Sequence, residues 1–373
     1  MNIIIFFIIL LVLVIVHEFG HFFSAKKFGI RVDEFGFGFP PKLFGVKKGE
    51  TEYTFNLLPI GGFVKIFGEN PDEESINGPD KDRSFVNKPK WQQAIVLFAG
   101  VFANFLLAWV LFSVSFMSGV PTSVGNNYES SFVKDAHLVL VSIMADSPAE
   151  RAGLKPGDKI VSIEIVDKTV KPALLTIPEI NPETMKSFVT SHDGLEMEFV
   201  YLRGKSAEVN TARVIPARNP ESETYSIGVA MDQIGIVKLP ILKAFWEGLK
   251  LDWSMTKGTA VGLFTLIKDG LKGQGDLSSV TGPVGMVGIV GDASQFGFTY
   301  LLSFAALISI NLAIINLIPF PALDGGRLLF LLIEKIKGSR LNPKFANGAN
   351  LIGFSILIIF MLFITYHDIV KLF

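Results

Sequence analysis

Two histidines and a glutamate near the start of the chain have the spacing of a metal site. They lie in the segment His17-Glu18-Phe19-Gly20-His21, within an apolar run that reaches Ala25 without a Lys or Arg. Residues i and i+4 share one face of an α-helix, so His17 and His21 can bind one ion while Glu18 beside them handles a proton. The alternative is a pair of histidines satisfied by hydrogen bonds. Ionisable groups at bilayer depth are costly unless they face a cavity, a partner or a metal, which favours metal-dependent hydrolysis within a membrane.

The composition indicates a membrane protein with a soluble insertion. Hydrophobic residues make up 49% of the 373 residues and charged residues only 18%, both on the apolar side of globular averages. The net charge of −1 gives no reason to expect nucleic-acid binding. The chain has no cysteine, which excludes disulfides, cysteine nucleophiles and zinc sites built from thiolates.

Four apolar stretches predict membrane-spanning helices. The first has about 24 residues, or roughly 36 Å of helix, which is enough to cross a bilayer. The loop between the first two stretches holds eleven Lys or Arg, and the short loop at 335–349 before the last stretch holds four. Because cytoplasmic loops carry the excess of positive charge, both loops are predicted to be cytoplasmic and the 121–238 segment to lie on the other side. The stretches run to Ala25, from Ala94 to Gly119, from about Phe296 to Pro319, and from Leu351 to about Phe363.

A second motif offers the carboxylate that the two histidines lack. The segment from Asn316 to Arg327 places two prolines before Asp324 and two glycines after it. The prolines end the helix and the glycines allow a tight turn, and such backbone survives at membrane depth only inside protein or beside a water-filled cavity. A catalytic zinc ion takes three protein ligands and keeps one open position, so Asp324 is the candidate third ligand. The alternative is an interfacial carboxylate paired with Arg327.

The first cytoplasmic loop predicts a small β-meander next to the metal motif. Aromatic and β-branched runs at Glu34 to Phe39, Thr51 to Leu58 and Phe63 to Phe67 are separated by Pro-Pro, Lys-Gly and Gly-Gly pairs. The edge of such a sheet could hold an extended peptide by strand addition. A solvated hairpin without a ligand is the equal alternative.

The long segment outside the cytoplasm resembles a bacterial PDZ domain from about Asn127 to Asp232. A strand at His137 to Ile143 precedes Ser147 to Val161, which resembles the helix, turn and next strand of such domains, and Pro182 to His192 predicts a second helix. The resemblance implies a groove for an extended peptide or a substrate ectodomain. The alternative is that the domain only excludes bulky substrates.

Across nearly its whole length the chain resembles the site-2 protease family, in the bacterial branch that includes the regulator-of-sigma-E protease. The segments that carry the resemblance are His17 to His21, Gly36 to Gly38, Gly49 to Tyr53, Gly61 to Lys65, Arg83 to Phe85, Pro89 to Gln92, Asn104-Phe105, the PDZ core, Gly282 to Gly285 and Asn316 to Gly326. The resemblance implies a bound Zn²⁺ ion, a glutamate base and a loop sheet that pairs with substrate. Carried over, the metal ligands are His17, His21 and Asp324, the catalytic base is Glu18, and the substrate-binding residues of the loop are Gly61, Gly62 and Phe63.

Asn104 in the second span is a further candidate. It is predicted to hold a substrate carbonyl, and helix–helix contact is the equal alternative.

The sequence therefore predicts a polytopic α-helical membrane protein with about four transmembrane helices, a cytoplasmic membrane-associated β-meander and an inserted extracytoplasmic PDZ domain. Its predicted function is that of a zinc-dependent intramembrane endopeptidase in the bacterial inner membrane. It would cut transmembrane segments of single-span membrane proteins, such as an anti-sigma factor or a signal-peptide remnant. The alternative is a non-catalytic membrane scaffold that binds peptides through the PDZ domain and keeps zinc for structure. Glu18 favours the enzyme, because a structural zinc site needs no base.

The expected segments follow in order. They are a first transmembrane helix at 1–28, the β-meander loop with a flexible stretch at 29–90, a second transmembrane helix at 91–120, the PDZ domain at 121–238, an interfacial amphipathic helix and a Gly-rich break at 239–295, a third transmembrane helix at 296–334, a cytoplasmic loop at 335–349 and a fourth transmembrane helix at 350–373.

Overall fold

The structure, a computed structural model, describes residues 2–123, 130–166, 174–176, 180–204, 208–218, 224–273 and 281–370. The chain divides into two compact units, one formed by Met1–Ser115 with Ile241–Phe373 and one formed by Phe116–Pro240. Within the described ranges, four helices are long and apolar enough to cross a membrane, as the sequence predicted.

The first unit begins with two long helices on either side of a β-hairpin. Its elements are α1 (Asn2–Lys27), β1 (Val32–Lys48), β2 (Thr51–Ile66), α2 (Glu73–Asn77) and α3 (Lys90–Ser118), with 3-10 turns at Lys81–Arg83 and Phe85–Asn87. Residues 34–37 of β1 pair with residues 52–55 on one side and with residues 62–65 on the other. The three predicted runs therefore share one sheet. They belong to two continuous strands, β1 and β2, because the two strands continue to pair with each other after each change of register.

The unit Phe116–Pro240 is built on a seven-stranded antiparallel sheet with the order β3-β11-β4-β5-β7-β8 and β6 beside β5. Its core is formed by alternate residues of the central strands, such as Ile160 and Phe199, together with Met185 of the longer helix. Its elements are β3 (Val120–Ser123), β4 (Val133–Ile143), α4 (Pro148–Arg151), β5 (Lys159–Ile165), β6 (Leu174–Thr176), α5 (Pro182–Ser191), β7 (Met197–Leu202), β8 (Val209–Val214), β9 (Ala217–Arg218), β10 (Tyr225–Ser226) and β11 (Val229–Val237), with a 3-10 turn at Ser130–Phe132.

The local elements predicted for this unit occur where the sequence indicated them. Ser147 caps the short helix α4 by accepting a hydrogen bond from the backbone of Glu150. Gly153 and Gly157 follow with positive φ angles of 78° and 91°, which suit glycine at a helix end and a turn. The expected start near Asn127 lies outside the described residues.

The chain returns to the first unit with five helices, α6 (Ile241–Leu271), α7 (Pro283–Phe296), α8 (Phe298–Leu317), α9 (Asp324–Lys337) and α10 (Pro343–Val370). Two expectations need correction here. The Gly-rich segment expected as a break is instead the start of helix α7. Pro283 suits the first helical position. Asp368 of α10 stabilises this start by accepting hydrogen bonds from the backbone N–H groups of Gly282 and Gly285, at 3.1 and 2.8 Å.

The segment expected as the third span at 296–334 contains two helices, α8 and α9, and residues 318–323 between them form the break that the prolines predicted. The last helix begins at Pro343, so the loop before it is shorter than expected.

The outer faces of the long helices are apolar and exposed. On α10, Leu351, Ile352 and Ile359 each leave more than 60% of their surface uncovered by protein. Such a continuous apolar surface requires a lipid environment. Together with its length and composition, this surface makes α10 a membrane helix.

Candidate active site

The three predicted metal ligands lie together. His17 and His21 stand one turn apart on α1, and both are buried. Their Nε2 atoms lie 3.1 and 3.3 Å from Oδ2 of Asp324 and 3.2 Å from each other. A tetrahedral zinc ion with bonds of about 2.0–2.1 Å holds its ligand atoms roughly 3.3–3.4 Å apart. The spacing of these three donor atoms therefore fits a zinc ion.

Asp324 reaches the histidines because the chain turns sharply between α8 and α9. Any Cβ atom on Gly325 would lie 2.2 Å from the carbonyl oxygen of Leu317, and one on Gly326 would lie 2.1 Å from that of Phe320. Only glycine permits so close an approach of backbone to backbone.

The alternative pairing of Asp324 with Arg327 is not the one that the structure shows. Arg327 donates its hydrogen bond to Glu69, whereas Asp324 faces the two histidines. Asp324 is therefore free to serve as a metal ligand.

A cavity of about 340 Å³ lies beside the three ligands. Glu18 is part of its wall, one residue after His17, so a water molecule in the cavity can touch both a metal ion and the Glu18 carboxylate. Among the described residues, His17, His21 and Asp324 are the one group of at least three ligand side chains that could share an ion. Three ligands with an adjoining cavity leave the fourth position open, as in catalytic zinc sites.

One face of α3 is fitted to the two histidines. The carbonyl oxygen of Val96 accepts a hydrogen bond from Nδ1 of His21 at 2.8 Å, and Nδ2 of Asn104 lies 3.3 Å from Nδ1 of His17. Between these two residues, a Cβ atom on Gly100 would lie 2.3 Å from Nε2 of His21. Positions spaced by four residues share one helix face, so α3 contacts both ligands with a single face.

The hairpin forms another wall of the site. Phe63 lines the cavity, and a Cβ atom on Gly62 would lie 3.8 Å from Cγ of Glu18, so both residues are close to the predicted base. Gly61 has a positive φ of 89°, which suits glycine where the strand bends. In the described part of the chain, residues 62–66 pair with β1 along one edge only.

Ion pairs fasten this hairpin to its surroundings. Glu50 at the turn accepts hydrogen bonds from Lys26 at 2.5 Å and from Arg83 at 2.6 Å. Burial acts to raise the pKa of Glu50, but these two cations outweigh it and the pKa is lowered from its ordinary value. At the other end, Glu69 pairs with Arg327 of α9. The hairpin is thus fixed at its turn and just after its second strand.

Several residues of the site had no sequence-based assignment. Asn316 and Glu69 line the cavity, and Val96 and Gly100 contact His21. Asn316 lies in the quoted motif and Gly100 lies one turn before Asn104, so both were within reach of a spacing argument. Nothing local distinguishes Val96, which acts through its backbone, or Glu69, which is one carboxylate among many on a polar loop.

Asn104, the candidate for holding a substrate carbonyl, lies outside the cavity lining. It is fully buried.

The ligand triangle, the adjoining glutamate and the four apolar helices define a membrane-bound zinc hydrolase. The sequence comparisons agree with this class. The family described as "Peptidase family M50" matches residues 5–360. A Clostridium perfringens protein named "Putative zinc metalloprotease" is 34% identical over 361 residues, covering 96% of this chain and 95% of its own. "Zinc metalloprotease RasP" of Geobacillus kaustophilus is 29% identical over 456 residues, covering 100% of this chain and 98% of its own.

The chain belongs to peptidase family M50, the site-2 proteases, and is a zinc metalloprotease.

Proposed function

We propose that the protein is an intramembrane endopeptidase that cuts transmembrane segments of single-span membrane proteins in the bacterial inner membrane. The observation that carries the proposal is the position of His17 and His21. They lie on α1, a helix long and apolar enough to cross a membrane, together with Asp324 and the Glu18-lined cavity. A hydrolytic site on such a helix acts on peptide bonds that are themselves in the membrane.

His17, His21 and Asp324 would hold the zinc ion. When bound, zinc acidifies water and polarises the scissile carbonyl. Glu18 takes the proton of the attacking water and returns it to the leaving amine, so one carboxylate acts first as base and then as acid. Val14 and Leu312 supply apolar parts of the cavity wall.

The substrate must become extended before it can be cut, because a helix hides its amides in hydrogen bonds. Residues 62–66, with an edge free of strand partners in the described chain, are suited to pair with such a segment. The phenyl ring of Phe63 would contact it beside the base. We assign Gly61, Gly62 and Phe63 to substrate binding on this basis.

The remaining parts of the proposal concern orientation and the inserted unit. The hairpin and the 338–342 loop would face the cytoplasm, and the unit Phe116–Pro240 would be a PDZ domain on the other side that binds a substrate ectodomain or limits its size. Because the chain has no cysteine, single cysteines at Lys48, Lys337 and Lys205 can be labelled from one side of the membrane at a time. Labelling of Lys205→Cys from the cytoplasmic side would contradict the orientation.

The experiment that tests the activity compares Glu18→Gln with His17→Ala in purified protein. A reporter that carries one transmembrane helix serves as substrate. Glu18→Gln should keep about one zinc per chain and lose cleavage, because the ligands remain and the base does not. His17→Ala should lose both. Substantial cleavage by Glu18→Gln would remove Glu18 from its role, and tight zinc binding without cleavage by the unmodified protein would favour the scaffold alternative.

A further inference from the structure

Asn104 is a buried polar residue whose role the catalytic mechanism leaves open. None of its surface is exposed, and its Nδ2 atom lies 3.3 Å from Nδ1 of His17. Its other amide atom, Oδ1, is buried and has no hydrogen-bond partner among the described residues. A buried carbonyl oxygen without a partner costs about 1–3 kcal/mol, so this arrangement calls for an explanation.

Metal binding supplies an explanation for the unpartnered oxygen of Asn104. A histidine that binds zinc through Nε2 carries its hydrogen on Nδ1, and this N–H group requires an acceptor. For His21 the acceptor is the carbonyl oxygen of Val96, at 2.8 Å. For His17 the neighbour is the amide of Asn104. A half turn of that amide exchanges its oxygen and nitrogen without moving any other atom, and it brings Oδ1 to Nδ1 of His17.

We propose that Asn104 is a positioning residue for His17. Its side-chain oxygen accepts the hydrogen bond from Nδ1–H, which fixes the ring and leaves Nε2 directed at the zinc ion. Val96 does the same for His21 through its backbone, one face of α3 serving both ligands. The proposal rests on the zinc ligands of the proposed function.

Loss of an outer partner of a metal-bound histidine weakens metal affinity about 10–100-fold. Asn104→Leu has a similar size but no acceptor, so its zinc dissociation constant should rise by that factor. Asn104→Asp keeps an acceptor and loses the donor, so its zinc dissociation constant should stay within about threefold of the unmodified value. The two variants separate acceptance by the oxygen from mere occupancy of the space.

Ser309→Ala is the matched control for helix packing. Ser309 donates a hydrogen bond to the backbone oxygen of Asn104 at 2.9 Å, so it joins α8 to α3 at the same residue. Its removal should lower the thermal stability of the zinc-free protein and leave the zinc dissociation constant unchanged. If Asn104 had only a packing role, Asn104→Leu would likewise lower the thermal stability of the zinc-free protein and leave the zinc dissociation constant unchanged.

The measurement is zinc affinity of the full-length purified protein by competition with a chromophoric chelator, with thermal unfolding of the zinc-free form alongside. Weak zinc binding by Asn104→Leu together with near-normal binding by Asn104→Asp supports the proposal. Unchanged binding by Asn104→Leu, loss of zinc in Asn104→Asp, or equal loss in Ser309→Ala overturns it. If Asn104→Leu does not fold, Asn104→Ala, which also removes the acceptor, replaces it in the comparison with Asn104→Asp. Retention of zinc by His17→Ala would instead refute the ligand set.

Discussion

Replacing Gly100 by Ala should disable the metal centre without changing a ligand. The new Cβ atom would lie 2.3 Å from Nε2 of His21 and 2.6 Å from its Cε1, whereas ordinary contact begins at 3.4 Å. The imidazole ring or the α3 backbone must therefore move by about 1 Å. Metal sites tolerate about 0.2 Å, and a displacement of about 1 Å at a catalytic group costs roughly 100-fold in rate. We expect zinc affinity and kcat/KM each to fall about 100-fold.

The assay pairs chelator competition for zinc with cleavage of a reporter that carries one transmembrane helix. Gly258→Ala in α6 is the control, because a Cβ atom there meets nothing within 4 Å and alanine favours a helix. It should bind zinc and cleave normally. Wild-type zinc affinity and cleavage in Gly100→Ala would refute the close packing of α3 on His21.

Further predictions concern Asp324, the turn before it and two carboxylates away from the metal. Asp324→Ala should lower both zinc occupancy and cleavage, measured as metal content and reporter turnover, because two histidines alone bind zinc weakly; full zinc with normal cleavage would place the third ligand elsewhere. Gly325→Val should also lose zinc, since a Cβ atom there would lie 2.2 Å from the carbonyl oxygen of Leu317, and unchanged metal content would contradict the turn. Burial raises the pKa of Asp252 from 3.8 to about 6, so the ionised form destabilises the fold. This destabilisation is absent below about pH 4 and reaches at most about 3 kcal/mol above about pH 7, less where solvent screens the carboxylate. Asp252→Asn should therefore raise the unfolding temperature at pH 8 but not at pH 4 and leave zinc occupancy unchanged; an equal shift at both pH values would count against this. The lowered pKa of Glu50 means that its ion pairs stabilise the fold above its ordinary pKa and that this contribution is lost as pH falls through the lowered value. Glu50→Gln should cost less than about 1 kcal/mol at pH 7 and nothing in strong acid, which thermal unfolding at the two pH values would reveal.

The catalytic motif and the membrane helices could be predicted because they depend on local spacing and composition. His17, Glu18 and His21 lie within one helical turn and a half, so the helix period alone sets which of them share a face. The four spanning helices follow from apolar length. Asp324 could be predicted by counting the ligands of a catalytic zinc ion, given a carboxylate that closely follows two prolines that end a helix.

The tertiary structure alone decided what surrounds the ligands. Val96 lies in an apolar span, where its neighbours in sequence give no sign of a contact with His21. Glu69 pairs with Arg327, 258 residues away. The start of α7 at Pro283 depends on the carboxylate of Asp368, which lies in another helix. Side-chain periodicity reports which residues share a face, but the partner of that face is set by how distant helices pack, and packing depends on the close fit of the whole unit.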